Sequence, residues 1–461
     1  MLPRLYPSVQ PADLGEVLEK AQTLPENSGA DVLETKLAGA LGAQGCLTLT
    51  SGRTALRLAT DLLSLKPGDE ALIPAFTCPV VADALIASSI TPVPVDLTLP
   101  DYQLDISSLK GALTEKCKLI IPTAYFGLPL NLEPLEEFCQ TNHLSVIIDS
   151  AQGLDLNADW RAIVQLAKKV PLLLLGSFNV DKHLPLGGGG FLDAFGSELA
   201  SRLARAGERL ESHTPREDIT DLSGLAVQLL LMQRQYYESY LSFETGRELI
   251  TSLKISPKEA RHICHSLASG ENMDRLYQKI SPWLYKDTTP ENSSVKRGLR
   301  RLIPSYASRP PQVSLPKRMG KVKAFLGERE LDKLPDVNCA RTKNSLLIHR
   351  ALGDVDEAWL PALGNEGAPL IRYPLVMKKP TNTPAMIRAL TIAGIEVGPF
   401  NYPQPLHKIS IYRKYLRVVG SLETSEEITS GMLNLPTWMG LSTDELAKMA
   451  DIILNQLGVN R

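Results

Sequence analysis

Three short stretches carry side chains that could act together on one bound group. In "SFNVDKHLPLGGGG", residues 177–190, Lys182 stands between the apolar run "VPLLLL" and four consecutive glycines. A lysine behind a buried strand sits where burial favours its uncharged, nucleophilic form. A solvated surface lysine is the ordinary alternative, but it leaves Ser177 and the glycines Gly187 to Gly190 unexplained. In "SVIIDSAQG", Asp149 ends an apolar run, where a carboxylate is costly unless a charge or a hydrogen-bond donor meets it. It could also simply cap the next helix; Gln152, three residues on, projects toward the same place. In "TSGRTALRLA", Ser51, Gly52, Arg53 and Thr54 open a helix after "CLTLT". Free N–H groups and the helix dipole there suit a phosphate, Gly52 permits close approach, and Thr54 adds a hydroxyl, although any helix favours such a cap. Together these are a phosphate cradle, an acid for a ring nitrogen and an amine able to form a Schiff base. Pyridoxal 5'-phosphate needs all three.

The elements that must position them are legible as alternation. Apolar runs "CLTLT", "EALIPA", "TPVPVDL", "CKLIIPTAYF", "LSVIIDS" and "VPLLLLGSF" are separated by helix-like stretches such as "RTALRLATDLLSL", "PVVADALIASS" and "NLEPLEEFCQTNH". Strands apolar on both faces and separated by helices predict an α/β domain with a mostly parallel sheet covered on two sides. Ligands of such sheets bind beyond the strands' carboxyl ends, where all three stretches fall. The predicted organisation is an N-terminal arm (1–28), a large domain (29–200), a helical insertion (201–310) and a smaller α+β C-terminal domain (311–461). In the insertion, "GLAVQLLLMQRQYYESYL" is the clearest helix, with "SHTPREDITD" and "KDTTPENSSVKRG" as polar interruptions. In the last part "MGKVKAFLGERELDKL", "NCARTKNSLLIHRAL" and "STDELAKMADIILNQL" read as helices, and "PLIRYPLVM" and "IEVGPF" as strands.

A chain of 461 residues with 44% hydrophobic and 22% charged residues is globular in composition rather than disordered or fibrous. A formal net charge of -2 supplies no global attraction to nucleic acid or anionic membrane. Cys46, Cys78, Cys117, Cys139, Cys264 and Cys339 form no C-x-x-C pair, which predicts neither a disulfide framework nor a zinc site and fits a reducing compartment. Prolines and acids in "MLPRLYPSVQPADLGEVL" interrupt what a signal peptide would need, and no apolar run is long enough to span a membrane. The expectation is a cytoplasmic protein without membrane, metal or nucleic-acid partners.

The series "SGRTALRLATDLLSLKPGDEALIPAFTCPVVADALIASSITPVPVDL", "DYQLDISSLKGAL", "IIPTAYFGLPLNLEPL", "VIIDSAQG" and "SFNVDKHLPLGGGGFL", resuming at "KRMGKVKAFLG", "AGIEVGPFNYPQPLHK" and "LNLPTWMGLSTDELAKMADII", resembles the DegT/StrS family of fold-type-I aminotransferases. The resemblance implies a seven-stranded large domain, pyridoxal phosphate as cofactor, a homodimer, and transfer of an amino group from glutamate or glutamine to a keto-sugar, possibly nucleotide-linked. It makes Lys182 the aldimine-forming lysine and proton carrier, and Asp149 the partner of the pyridine nitrogen. Gln152 would sit near the phenolic oxygen, Ala151 against the ring, and Gly52, Arg53, Thr54 and Ser177 around the phosphate. Three positions depart from the family pattern: Arg53 stands where a threonine is usual, Cys78 where an aromatic stacks on the ring, and Pro316 where an asparagine reaches across the dimer. These departures support the alternative of a PLP-binding regulator or scaffold that has lost transamination; the retention of Lys182, Asp149 and Gln152 supports the enzyme. Related dehydratases carry histidine at the lysine position, so Lys182 argues against that chemistry.

Other features are weaker. Nine basic residues and no acid lie between Lys296 and Lys323, which reads as a solvated face or as an anion site for a sugar nucleotide's diphosphate. Tyr402 and His407 in "NYPQPLHK" resemble the family's substrate-facing loop. His262, Cys264 and His265 in "RHICHS" have no second ligand cluster and read as a helix with one buried cysteine. The four glycines do not form a G-x-G-x-x-G that opens a helix, so a dinucleotide site is not predicted.

Overall fold

The structure, a computed structural model, describes residues 1–24, 29–234, 237, 255–270, 313–398 and 404–459. Seven strands form the central sheet: β1 (Gly45–Leu49), β2 (Glu70–Pro74), β3 (Thr91–Val95), β4 (Cys117–Ile120), β5 (Ser145–Asp149), β6 (Leu172–Ser177) and β7 (Gly190–Phe195), in the order β1-β7-β6-β5-β4-β2-β3. β6, β5, β4, β2 and β3 run parallel, while β7 is antiparallel to both β6 and β1. The period-2 alternation of strand side chains divides the apolar residues between two faces. Leu72, Ile120, Val146, Ile148, Leu172 and Leu174 enter one core, and Ala71, Ile73, Leu119, Ile147, Leu173 and Leu175 the other.

Nine helices precede or follow these strands up to residue 231 among the described residues. They are α1 (Pro11–Lys20), α2 (Ala30–Leu41), α3 (Gly52–Leu62), α4 (Pro79–Ala87), α5 (Ile106–Ala112), α6 (Glu133–Thr141), α7 (Arg161–Ala167), α8 (Ser197–Arg209) and α9 (Pro215–Leu231). Then come α10 (Pro257–Ser269), α11 (Lys321–Leu331), α12 (Leu334–Leu352), α13 (Thr383–Ile392), α14 (Glu423–Gly431) and α15 (Thr443–Leu457). A three-stranded antiparallel sheet, ordered β10-β9-β8, joins β8 (Ala358–Trp359), β9 (Arg372–Met377) and β10 (Met432–Pro436).

Two segments differ from their sequence reading. "SHTPREDITD" interrupts the helical segment only over 212–214, between α8 and α9; from Pro215 it is helix, because Thr214 and Glu217 form a reciprocal capping box at the head of α9. The described residues of "IEVGPF", 395–398, form no ladder: Ile395 makes a single bridge to Leu2, with Leu2 N–H donating to Gly394 O at 2.7 Å and Glu396 N–H to Leu2 O at 2.9 Å. The strand beside β9 is instead "MLNLP", paired over its whole length with Arg372–Val376. The first helix, α1, packs on α9, α10 and α11, so the N-terminal segment lies against helices from much later in the chain.

The glycine run has two functions. Gly187, Gly188 and Gly189 have φ of 71°, 133° and 113°, in the region that side chains disfavour. Gly190 serves close approach: a Cβ there would lie 2.6 Å from Gly176 O and 2.7 Å from Gly52 N. Outside this turn, a Cβ on Gly189 would meet Met319 at 2.6 Å, and one on Gly188 would come 4.0 Å from the Lys323 amine. The start of α11 is in turn fixed by Asp218 of α9, a fully buried carboxylate that accepts from Val322 N–H and Lys323 N–H, both at 3.1 Å. Replacing Asp218 with alanine leaves two buried donors and a helix start unsatisfied. We expect Asp218→Ala to lose about 2–3 kcal/mol of stability in urea denaturation, whereas a loss below about 0.5 kcal/mol would show that water replaces the cap.

Candidate active site

Three pieces of backbone meet at the carboxyl ends of β5 and β6. Ser51 caps α3 in extended conformation, and its hydroxyl accepts from Thr54 N–H at 3.1 Å. The Thr54 hydroxyl donates to Ser51 O at 2.9 Å, so Thr54 is buried and engaged in the cap itself. The N–H groups of Gly52 and Arg53 have no acceptor within the helix. A Cβ on Gly52 would meet Gly176 O at 3.5 Å and the Ser177 Cβ at 3.7 Å, which sets the Ser177 side chain beside the helix start. Arg53 keeps its Nε buried and without a partner among the described residues. The α3 start and the end of β6 thereby bring together free amides, the Ser177 side chain and Arg53, groups that could hold an anion.

Asp149, at the end of β5, is buried and accepts from Ala151 N–H at 3.0 Å. Burial raises its pKa, opposed by that hydrogen bond and by the Lys182 charge. Gln152 is also buried, and its Oε1 accepts from Phe126 N–H at 3.2 Å. Phe126 has φ of 59°, so Gln152 supports a turn that most side chains avoid. That turn seats Tyr125, whose ring stacks on Phe76 at 5.5 Å between centroids and whose hydroxyl donates to Phe76 O. Cys78 follows Phe76 at the head of α4; burial pushes its thiol up to about 11, with Lys182 and Arg53 pulling down and Asp149 pushing up. Cys78, Arg53, Asp149 and Lys182 thus share one electrostatic neighbourhood.

The Lys182 side chain is 15% exposed, and its Nζ lies 3.2 Å from Asp181 Oδ2. The same oxygen accepts from the Arg372 guanidinium at 3.3 Å, so a single carboxylate oxygen is shared by two cations. Burial acts to raise the Asp181 pKa, but Lys182 and Arg372 together hold it below the ordinary carboxylate value. Behind them Arg341 of α12 donates to Ile371 O at 3.1 Å, and burial beside Arg372 pushes it down to about 10. His183 Nε2 lies 2.7 Å from Pro369 O; burial, with Arg341 adding repulsion, pushes this imidazole down to about 3, so it is neutral at pH 7 and donates to that carbonyl. Asp181, Arg341 and Arg372 were not singled out from the sequence. The available signals were an acid adjoining the lysine and an arginine inside the apolar run "PLIRYPLVM".

Other sequence candidates have different surroundings. Tyr402 lies outside the described residues. His407 is held by Glu426 of α14, with Nε2 3.0 Å from Oε1. Of the basic run, Lys296, Arg297, Arg300, Arg301 and Arg309 lie outside the described residues. The other four have internal partners: Lys317 faces Glu211 and Glu217, Arg318 faces Glu34, Lys321 donates to Leu24 O, and Lys323 pairs with Asp221. Acids distant in sequence thus fold against three of the four, and a backbone carbonyl meets Lys321. On α10, Cys264 is buried while His262 and His265 are exposed. No cluster of metal-binding side chains occurs among the described residues.

A mixed seven-stranded sheet of this order, with a smaller antiparallel sheet after it and a lysine loop at its carboxyl edge, is the fold-type-I fold of PLP-dependent transferases. The chain belongs to the DegT/DnrJ/EryC1/StrS aminotransferase family, whose model matches residues 10–216 and 298–454. Among curated relatives it is 35% identical over 141 residues to the UDP-N-acetyl-3-dehydro-alpha-D-glucosamine 3-aminotransferase of Acidithiobacillus ferrooxidans, covering 31% of this chain and 38% of that protein. It is 28% identical over 229 residues to the UDP-2-acetamido-2-deoxy-3-oxo-D-glucuronate aminotransferase of Pseudomonas aeruginosa, covering 48% and 63%. The chain thus spans between 38% and 63% of the length of these two relatives. The aminotransferase TlmJ from Streptoalloteichus hindustanus has a similar structure, with a TM-score of 0.66, 20% identity and 99% of each chain covered. DesV from S. venezuelae, solved with a ketimine intermediate, gives 0.65, 18% identity and coverage of 97% and 94%.

The folded pKa of Asp149 is raised, so the folded chain binds the proton more tightly than the unfolded one, and stability falls as pH rises through the carboxylate range. Without cofactor, Asp149→Asn should be more stable than wild type at pH 8 by about 1 kcal/mol or more, with the gain vanishing toward pH 4. Thermal melts at both pH values check this; equal melts at pH 8 would mean that the Ala151 amide and Lys182 already compensate the charge.

Proposed function

We propose that this chain binds pyridoxal phosphate through Lys182 and transfers an amino group from glutamate or glutamine to a keto group on a nucleotide-linked sugar. The observation that carries the reading is convergence: the α3 start with Ser177, the buried Asp149 and the Lys182 amine, which are distant in sequence, adjoin one another at the sheet's carboxyl edge. The relatives' names support the sugar substrate, since those two act on UDP-linked amino sugars.

The residues present fit the cofactor. The glycine-lined α3 start, Ser177 and the unpartnered Arg53 Nε suit a phosphate, and Asp149 offers a buried carboxylate with only one hydrogen bond to it among the described residues. When bound, the cofactor supplies an electron sink for the carbon beside the amino nitrogen. Gly52, Arg53 and Ser177 would hold the phosphate, with Thr54 stabilising the helix start behind them. Asp149 would keep the ring nitrogen protonated, a role that its burial strengthens because a protonated partner compensates the charge. Gln152 and Ala151 would border the ring, and Cys78 would meet the face that an aromatic covers elsewhere in the family. Lys182 would carry the proton on Nζ between the substrate carbon and the cofactor carbon. Tyr402 and His407 would face the substrate. In this reading the protein is a cytoplasmic homodimer; support comes from six cysteines with no disulfide among the described residues and from the family resemblance.

Visible absorption of the purified protein with pyridoxal phosphate tests the reading. A band present in wild type, absent in Lys182→Ala and bleached by L-glutamate is expected. A lysine-dependent band that neither glutamate nor glutamine changes would favour a binding protein without transamination, and absence of any such band would overturn the cofactor assignment.

A further inference from the structure

The carboxylate next to the lysine has no part in the roles assigned so far, yet it is the nearest charge to the Lys182 amine. Asp181 is only 8% exposed at the side chain, and its Oδ2 lies 3.2 Å from Lys182 Nζ and 3.3 Å from Arg372, which is fully buried on β9. Its Oδ1 has no partner among the described residues. We propose that Asp181, anchored by Arg372, is a positioning residue that holds the Lys182 amine at the mouth of the site whenever that amine is not bonded to another group. This rests on the reading of Lys182 as the cofactor-binding lysine.

The physical case is one of geometry and charge balance. A lysine has four side-chain torsions and loses rotamer entropy when fixed, so a free Lys182 stays in place only if something holds it. Asp181 cannot itself wander, because it adjoins Lys182 in the chain and its other contact is a guanidinium on a different sheet. The groups facing Lys182 are Asp149 from β5, Cys78 ahead of α4 with Arg53 of α3 beside it, Asp181 and His183 from its own loop, and Arg372 from β9, with Arg341 of α12 behind Arg372. His183 is neutral and the Cys78 thiol protonated at neutral pH, so the carboxyl groups of Asp181 and Asp149 are the acids set against the cations Lys182, Arg53, Arg341 and Arg372. Asp149 is the anion assigned to the cofactor ring. Asp181 is therefore the one left for the amine, and Arg372 keeps it ionised and oriented.

The arrangement makes two predictions of opposite sign. Bond formation requires the Lys182 ammonium to lose a proton to solvent, after which the amine adds to the cofactor's aldehyde carbon and water leaves. Added borohydride, as reductant, fixes the resulting C=N bond as a secondary amine. In Asp181→Asn the anion favouring the ammonium is gone, so the pH midpoint of trapping should move down by about one unit. In Arg372→Met a competing cation is gone, so the midpoint should move up by about one unit.

The experiment incubates the full-length chain, wild type and both variants, with pyridoxal phosphate over a pH series, traps with borohydride and quantifies the adduct on the Lys182 peptide by mass spectrometry. Circular dichroism verifies folding, and either variant alone suffices because the two shifts differ in sign. Shifts in the stated directions support the assignment. Adducts on Lys182 with unmoved midpoints overturn it while leaving the cofactor reading intact; no adduct on wild-type Lys182 at any pH overturns both.

Discussion

The close approach of three backbones, at Gly52, Gly176 and Gly190, is the constraint on which the site depends. Gly190 begins β7, the only strand of the large sheet that runs against β6, and it packs directly on the first amide of α3 and on a β6 carbonyl. A side chain at that point would push the helix start away from the strand that ends in Ser177. The α3 start and the lysine loop would then no longer share a floor. The preceding left-handed glycines allow the chain to double back sharply enough for β7 to pair with β6 immediately after the Lys182 loop. Backbone proximity, rather than a particular polar contact, is what brings the polar groups together.

Within that frame the electrostatics are arranged by depth. Asp149, at the end of a strand buried on both faces, has its pKa raised by burial and is least costly when it meets a cation. Asp181, two cations against one oxygen, is held ionised. Two acids close to the same lysine are thereby driven in opposite directions by their surroundings. The α9 carboxylate Asp218 contributes from outside, since it fixes the α11 start against which Gly188 and Gly189 pack. The long segment between the family-matching parts thus begins with a helix that supports the site from behind.

Much of the molecule was legible in the residue order. The six apolar runs became β1 to β6, and the hydrophobic periodicity of the last 140 or so residues located α11, α12 and α15. Lys182, Asp149, Gln152 and the Ser51–Thr54 cap lie at or just after strand ends, the places where the residue order of an α/β sheet directs a search for ligand-binding groups. "IEVGPF" and "MLNLP" were not separable in the same way, since both are short and apolar, and only pairing with β9 decides which one becomes a strand. The basic residues from Lys317 to Lys323 looked like a free positive face because their acidic partners, Glu34, Glu211 and Asp221, are far away in the chain.

By itself, the sequence determined the α/β class, the order of the large-domain strands along the chain and the lysine, acid and helix start that could serve one cofactor. These follow from local rules: periodicity, capping and the cost of a charge after an apolar run. The tertiary structure alone decided the β1-β7-β6-β5-β4-β2-β3 order, the service of Thr54 and Gln152 to the backbone around the site, and the meeting of Asp181 with Arg372 across 191 residues. The reason is physical: a pair of charges separated by that length of chain carries no local signature, and its energy exists only once two sheets have packed and excluded water from between them.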